Sequence, residues 1–553
     1  MARRISFVTA LLSYLWLCLT WFDHDIRFFP AEAPPILPAL LLLVCVAIFY
    51  RPQWGPDERT ALAVGLVGVL SRLPFLWGAY GLFSSDAAAQ GVMALHILEG
   101  KHHPIFLYNW SYVGSIKAHL TAALAFVSGE PVISFALAAT LMYGAFAAAI
   151  FLLARTVASR SEALVAAAYV IVAPGFLTAW GMGNEGNYVD VMLFGTLMLW
   201  LASKWMQDDS DGYSTWFWIG VLGGLAFWTH ILATYYLLTV TLVVVAKRLS
   251  RKTLTRTACL GGGFLVGDFP GILWNAGNEW LSFRWWSLDA ETVEATDRLG
   301  RTLAQLQEVG ATSLAVLSGY WPRESPPWPA PVWKIGLTLL IPSVMLVFAW
   351  RHRSRLREVS PHLMLIGFAF LVIAVFAQSS FGWMTDEPRY LLFLFSVVPV
   401  FIGVATFSLW QRHKLMGIAL VLLLAGVNLR GDLRYLGVAL ESDPVNREFV
   451  AAIEELGVRH VRSDYHLSYK YVFLSHLRMV WTSELGPAQT EWYFPFRDAL
   501  DEAEDVALVP RSFRLARRIG RRLDARGITY RREDLLYPVL FELSEPVLPE
   551  ELR

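Results

Sequence analysis

Charge is what this chain has least of: Asp, Glu, Lys and Arg make up 17% of its 553 residues, against about 25% in ordinary soluble domains. The 46 basic and 46 acidic side chains cancel, so no net field favours nucleic acid or a strongly charged partner. Cysteine is scarce as well. Cys18, Cys45 and Cys259 are the whole complement; each sits in an apolar run, where a thiol behaves as a small hydrophobe, and no disulfide framework follows. There is no internal repeat and no low-complexity linker. No glycine-rich phosphate loop opens the helices near the C-terminus, so nucleotide binding is not implied there.

Apolar residues fill the gap, at 56% against about 45–50% in soluble domains. A helix needs about 20 mostly apolar residues to cross a bilayer, and only helices or closed barrels satisfy the backbone there. The runs do not alternate, so they read as helices, with spans expected over 5–22, 36–50, 61–82, 132–157, 163–180, 189–206, 215–231, 232–246, 257–274, 332–350, 363–381, 390–410 and 415–429. The basic N-terminus followed by an uncleaved apolar run reads as a retained first helix. With the N-terminus inside, alternate loops carry Arg51 and Arg59, Arg155 and Arg160, Lys204, AKRLSRK, RHRSRLR and QRHK. Lys and Arg accumulate in short cytoplasmic loops, so the expectation is a polytopic α-helical protein of the inner (plasma) membrane, with about thirteen spans and its C-terminus outside.

Three segments then lie outside together: 84–131, the Trp-rich 275–331, and the chain after Arg430. Domains are expected at 1–60 (two additional N-terminal spans), 61–440 (a transmembrane catalytic module) and 441–553. In the last, helix-like NREFVAAIEELG, strand-like VRHVRSDY, EDVALVP, helical SFRLARRIGRRLDARG and ITYRRE give a βαβ rhythm. That rhythm points to a small extracytoplasmic α/β domain able to fold by itself.

Polar residues at the outer ends of spans are the candidates for chemistry. Asp86, in SSDAAAQG, stands after a span and before a helix, either as an N-cap or as a carboxylate able to take a proton from a hydroxyl. Arg389, in DEPRY, is either an interfacial arginine or a stabiliser of a phosphate leaving group; Lys117 is a second such cation or a solvated lysine. Glu185, in GMGNEGNY, is a turn acid or a ligand for acceptor or cation, and His230 an interfacial histidine or a phosphate donor. Asp268 lies in an apolar run before Pro270 with no assigned role. Lys101-His102-His103 lacks the i, i+4 spacing of helical metal ligands, and reads as a loop.

The stretch SSDAAAQGVMALHILEGKHHPIFLYNWSYVGSIKAHLTAALAFVSGE resembles the first large outer loop of GT-C fold glycosyltransferases, in particular the bacterial relatives of protein O-mannosyltransferases and of lipid A aminoarabinose transferase. GLAFWTHILATYYLL, GILWNAGNEW and EPRYLLFLFSVVP are similar to later signatures of that group, and ELGVRHVRSDYHLSYKYVFLS to the small outer domain of one branch. The resemblance implies an inverting transfer from a polyprenyl-phosphate sugar donor to a glycan, lipid or protein acceptor among membrane lipids. It implies Asp86 acting on the acceptor hydroxyl; for the phosphate leaving group of such a donor, which needs positive charge or hydrogen-bond donors, the candidates are Arg389 first, then Lys117 and His230, with Glu185 the candidate for acceptor or cation. It requires no nucleotide and leaves a divalent metal open. Two departures stand out: Ala87 where an SDEA-like start has an acid, and Lys117 where a GSLEAY-like segment has another. A lipid or solute transporter, or a non-catalytic subunit of a glycan assembly system, are the competing readings.

Overall fold

The computed structural model describes residues 2–22, 55–208, 212–247, 251–288, 298–320, 330–485 and 492–548. The expected span over 36–50 lies outside them; every other expected span falls on helix. By length and apolar character, six described helices can cross a membrane: Pro56–Leu82, Pro131–Arg155, Glu185–Gln207, Val332–Arg351, Pro361–Gln378 and Lys414–Glu455. The number rises to eight if two bent pairs each count as one span. The chain is a multi-pass membrane protein.

Local chemistry sets the ends and the breaks. Proline opens Pro131–Arg155 and Pro361–Gln378, with Glu130 and Ser360 capping, because proline's missing N–H costs nothing in the first turn. Pro174 separates Arg160–Ile171 from Gly175–Met182, which meet at 64°. A second bend of 51° joins the 3₁₀ helix Arg389–Ser396 to Val398–Arg412, and it presents Arg389 at the start of a tightened turn. Close helix contact relies on small residues: a Cβ on Gly144 would stand 2.7 Å from the carbonyl oxygen of Gly65 on the neighbouring helix. Deep in the bundle Arg72 pairs with Asp432 at 2.8 Å, and Asp432 also accepts from Thr178.

In the first large loop, β1 (Phe106–Leu107) and β2 (Trp110–Gly114) form a hairpin. Near the C-terminus, β3 (His460–Ser463), β4 (Val480–Ser483), β5 (Val506–Val509), β6 (Arg531–Asp534) and β7 (Pro538–Phe541) form one sheet in the order β4-β3-β5-β7-β6. β4, β3 and β5 are parallel; β7 and β6 are antiparallel additions. β3, β5 and β6 fall on the three strand-like runs read from the sequence, whereas β4 and β7 were not expected.

The sheet is not set apart from the membrane module. Lys414–Glu455 runs as one 42-residue helix straight through the boundary expected at 440, and Tyr80 is held at both ends: its N–H donates to Asp443 at 2.9 Å, and its carbonyl accepts from Asn446 at 2.8 Å. Helix Tyr465–Leu474 packs on helix Ser85–Leu98, where a Cβ on Gly91 would stand 2.6 Å from the ring of Phe473. Phe83, Met93, Phe135, Phe473 and Trp481 belong to one buried cluster shared by both parts. The region after 440 therefore shares its core with the first loop, contrary to the expectation of independent folding.

Candidate functional site

The N-terminus of helix Ser85–Leu98 is capped by Ser84, whose hydroxyl accepts from the Ala87 N–H at 3.4 Å. Asp86 lies inside the first turn, where the helix dipole favours a negative charge, and its side chain is not the cap. It is half-buried and accepts a hydrogen bond from the Tyr465 hydroxyl, carried by the helix that follows β3. Burial, and then the Asp86 carboxylate, push the Tyr465 phenol far above its ordinary range, so it stays protonated and keeps donating. The same helix docks through Tyr469, whose N–H donates to Ser85 Oγ at 3.1 Å.

Glu185 sits in a turn built for it. Asn184, Gly186 and Asn187 all have left-handed φ, at 65°, 62° and 54°, which Asn and Gly adopt most readily. The turn is pinned by Asn184 donating to the Phe135 carbonyl and Asn187 to the Gly114 carbonyl, each at 2.9 Å. Glu185 reaches the Ser84 hydroxyl and lies within electrostatic range of Asp86 and Arg389. Arg389 places its guanidinium 5.7 Å from the Trp180 ring centroid and 5.2 Å from that of Tyr390, in electrostatic range of Tyr188 and Asp86. Its Nε is buried with no hydrogen-bond partner among the described residues. A buried unpaired donor on a cation suits an anionic ligand.

His230 follows helix Tyr213–Thr229, buried between Tyr112 and Tyr188, with both ring centroids 5.5 Å away. Its Nδ1 accepts from the Leu232 N–H at 3.1 Å, so in the neutral ring Nε2 carries the proton and is a donor. Arg389 lies in its electrostatic range. Asp86, Glu185, Arg389 and His230, separated widely in sequence, thus belong to one polar constellation roofed by Tyr465.

Lys117 does not join it. Its ammonium is buried 2.6 Å from the Asp190 carboxylate, with side-chain exposures of 3% and 1%. A cation neutralised in a dry ion pair is a structural pin and not an open phosphate ligand, so the donor-phosphate role expected of Lys117 is corrected. Asp268 also stands apart, with Tyr14 in its electrostatic range. His102 and His96 both hydrogen-bond the Tyr108 hydroxyl, at 2.7 and 2.6 Å, as loop structure. Among the described residues no three His, Cys, Asp or Glu side chains are grouped to hold a metal ion.

The sequence model of the family described as dolichyl-phosphate-mannose-protein mannosyltransferase matches residues 113–274, a stretch containing Glu185 and His230. ArnT from Cupriavidus metallidurans bound to undecaprenyl phosphate is similar in structure, with TM-score 0.58, 14% identity, and coverage of 88% of this chain and 97% of that one. ArnT from the same organism in the apo state gives TM-score 0.57, 15% identity, and coverage of 88% and 96%. The oligosaccharyltransferase of Archaeoglobus fulgidus in its apo form gives TM-score 0.52, 12% identity, and coverage of 84% and 70%. No curated protein matches the chain by sequence. The likeness expected from the sequence holds for the fold, which this chain shares with the ArnT and oligosaccharyltransferase structures.

Proposed function

We propose that the protein is a membrane glycosyltransferase that moves a sugar from a polyprenyl-phosphate-linked donor to an acceptor hydroxyl on the extracytoplasmic face, with inversion at the anomeric carbon. The observation that carries this reading is the pairing of a hydrogen-bonded carboxylate, Asp86, with a cation, Arg389, whose Nε has no hydrogen-bond partner among the described residues, in one constellation. The fold shared with an ArnT structure bound to undecaprenyl phosphate supports the donor class. The basic loops that alternate along the chain support the orientation.

In the proposed reaction Asp86 takes the proton of the acceptor hydroxyl as that oxygen attacks the anomeric carbon. The bond from the anomeric carbon to the phosphate oxygen breaks, and its electron pair leaves with the lipid phosphate. Arg389 meets the developing negative charge, and His230 Nε2–H adds a neutral donor. Tyr465 fixes the orientation of the base. Glu185 is proposed to orient the acceptor through its hydroxyl groups. No nucleotide cofactor enters.

A transporter would keep binding groups open near the membrane midplane, whereas two buried charge pairs, Arg72–Asp432 and Lys117–Asp190, are closed on themselves. Reconstituting the purified protein in vesicles with a set of polyprenyl-phosphate sugars separates the readings. Release of polyprenyl phosphate with formation of a glycoside supports the proposal; transbilayer movement of an intact donor, or saturable binding without turnover, contradicts it.

A further inference from the structure

The tip of the β1–β2 hairpin belongs to none of the roles above. Tyr108 and Asn109 make the turn between the paired residues Leu107 and Trp110. Asn109 adopts a left-handed φ of 58°, a conformation in which Asn is several-fold enriched. The turn places Tyr108, Asn109 and Trp110 in the wall of a cavity of about 570 Å³, whose other side includes Trp274, Arg284 and Tyr493. Tyr108, Trp110, Trp274 and Tyr493 are each half-buried, with part of each ring open to solvent, and Asn109 and Arg284 are exposed at the rim.

This cavity adjoins the constellation around Asp86. The Trp110 ring lies 5.6 Å from Trp492, which lies 5.0 Å from Tyr465, the donor to Asp86. On the other flank Trp110 lies 5.2 Å from Tyr112, which lies 5.5 Å from His230. A ligand seated against Trp110 therefore lies two ring contacts from Tyr465, the donor to the proposed base.

We infer that the cavity is an acceptor subsite for a carbohydrate chain, an inference that rests on the glycosyltransferase reading and names its acceptor class. A pyranose presents one face of polarised C–H bonds, which packs on the negative face of an aromatic ring, and an edge of hydroxyls that needs donors and acceptors. Half-buried aromatic walls with an amide and a guanidinium at the rim match both surfaces. A lipid chain matches only the first: it has no partner for the Asn109 amide, and burying that group, or the Arg284–Glu279 ion pair at the rim (2.8 Å), against it carries a desolvation penalty. The acceptor hydroxyl lies at the end of the sugar chain nearest Tyr465 and Asp86.

The test uses the full-length protein in nanodiscs, without donor, and a panel of neutral and uronic trisaccharides followed by saturation-transfer NMR and tryptophan fluorescence. At least one trisaccharide is expected to bind with saturation transferred to the C–H face of its rings. Trp110→Leu is expected to weaken that binding about 5–10-fold, and Asn109→Gly, which keeps the turn, to weaken it less while thermal unfolding is unchanged. Because binding is read without turnover, an inactive protein that still binds sugar contradicts the transfer reaction and leaves the subsite standing. The inference is overturned if no trisaccharide in the panel binds, if Trp110→Leu and Tyr493→Leu both bind as the parent does, or if a dodecyl chain competes where the sugars do not.

Discussion

Tyr465, on a helix of the C-terminal sheet region, donates its phenolic hydrogen to Asp86 in the first loop, across 379 residues of chain. The contact makes the C-terminal region part of the proposed site and not an appendage. Tyr465→Phe removes one hydrogen bond to a carboxylate, and such bonds are worth about 1.5–3 kcal/mol. Turnover is expected to fall about 10–100-fold, with donor binding retained. Steady-state kinetics beside donor titration check this; an unchanged turnover number would show that Asp86 needs no positioning.

The shared core predicts the behaviour of fragments. Freed from helix Ser85–Leu98, the face carrying Tyr469 and Phe473, both buried in the whole protein, becomes an exposed apolar patch of the kind that drives aggregation. A fragment beginning at Glu441 is expected to be insoluble or oligomeric. A monodisperse monomer in size-exclusion chromatography would contradict the packing described above.

Most of the constellation was legible in the sequence because polar residues at the ends of apolar runs stand out against their surroundings. Asp86, Glu185, Arg389 and His230 were each found that way. Lys117 was misread because burial and pairing are not visible locally, although the signal existed: Asp190, an acid inside the apolar run VDVMLF, demands a partner. Tyr465 lies in the family-like segment ELGVRHVRSDYHLSYKYVFLS, but a phenol in a soluble-looking helix announces no target. The domain boundary was misplaced because the second half of helix Lys414–Glu455 carries charges that read as surface, while Asp432, Asp443 and Asn446 are buried anchors.

The Lys117–Asp190 pair yields a stability prediction. Lys117→Met leaves a buried carboxylate without its counter-ion and is expected to cost about 3–5 kcal/mol, whereas Lys117→Met with Asp190→Leu recovers most of that loss. Thermal unfolding in detergent measures both. Donor affinity is expected to be unchanged in the double variant; a large loss there would restore Lys117 as a phosphate ligand.

His96 gives the chain a pH dependence. Burial, then the neighbouring charges of His102 and Lys101, push its imidazole down from 6.5 to about 3. The unfolded chain takes up this proton at higher pH than the folded one, so the contribution to stability is fully present above about pH 6.5 and is lost progressively as pH falls toward about 3. The melting temperature of the unmodified protein is expected to drop between pH 7 and pH 5 by more than that of His96→Gln. Parallel curves for the two would assign the dependence elsewhere.

The central claim is that Asp86 takes the acceptor's proton, and Asp86→Asn tests it with least ambiguity because Ser84, not Asp86, caps the helix. The measurement is the single-turnover rate with a polyprenyl-phosphate sugar that the unmodified protein uses, beside the melting temperature and donor affinity of each form. Loss of a general base is worth about 10²–10⁴ in rate, so the account predicts a folded, donor-binding Asp86→Asn protein slowed by that factor. Near-normal turnover in folded Asp86→Asn would contradict it.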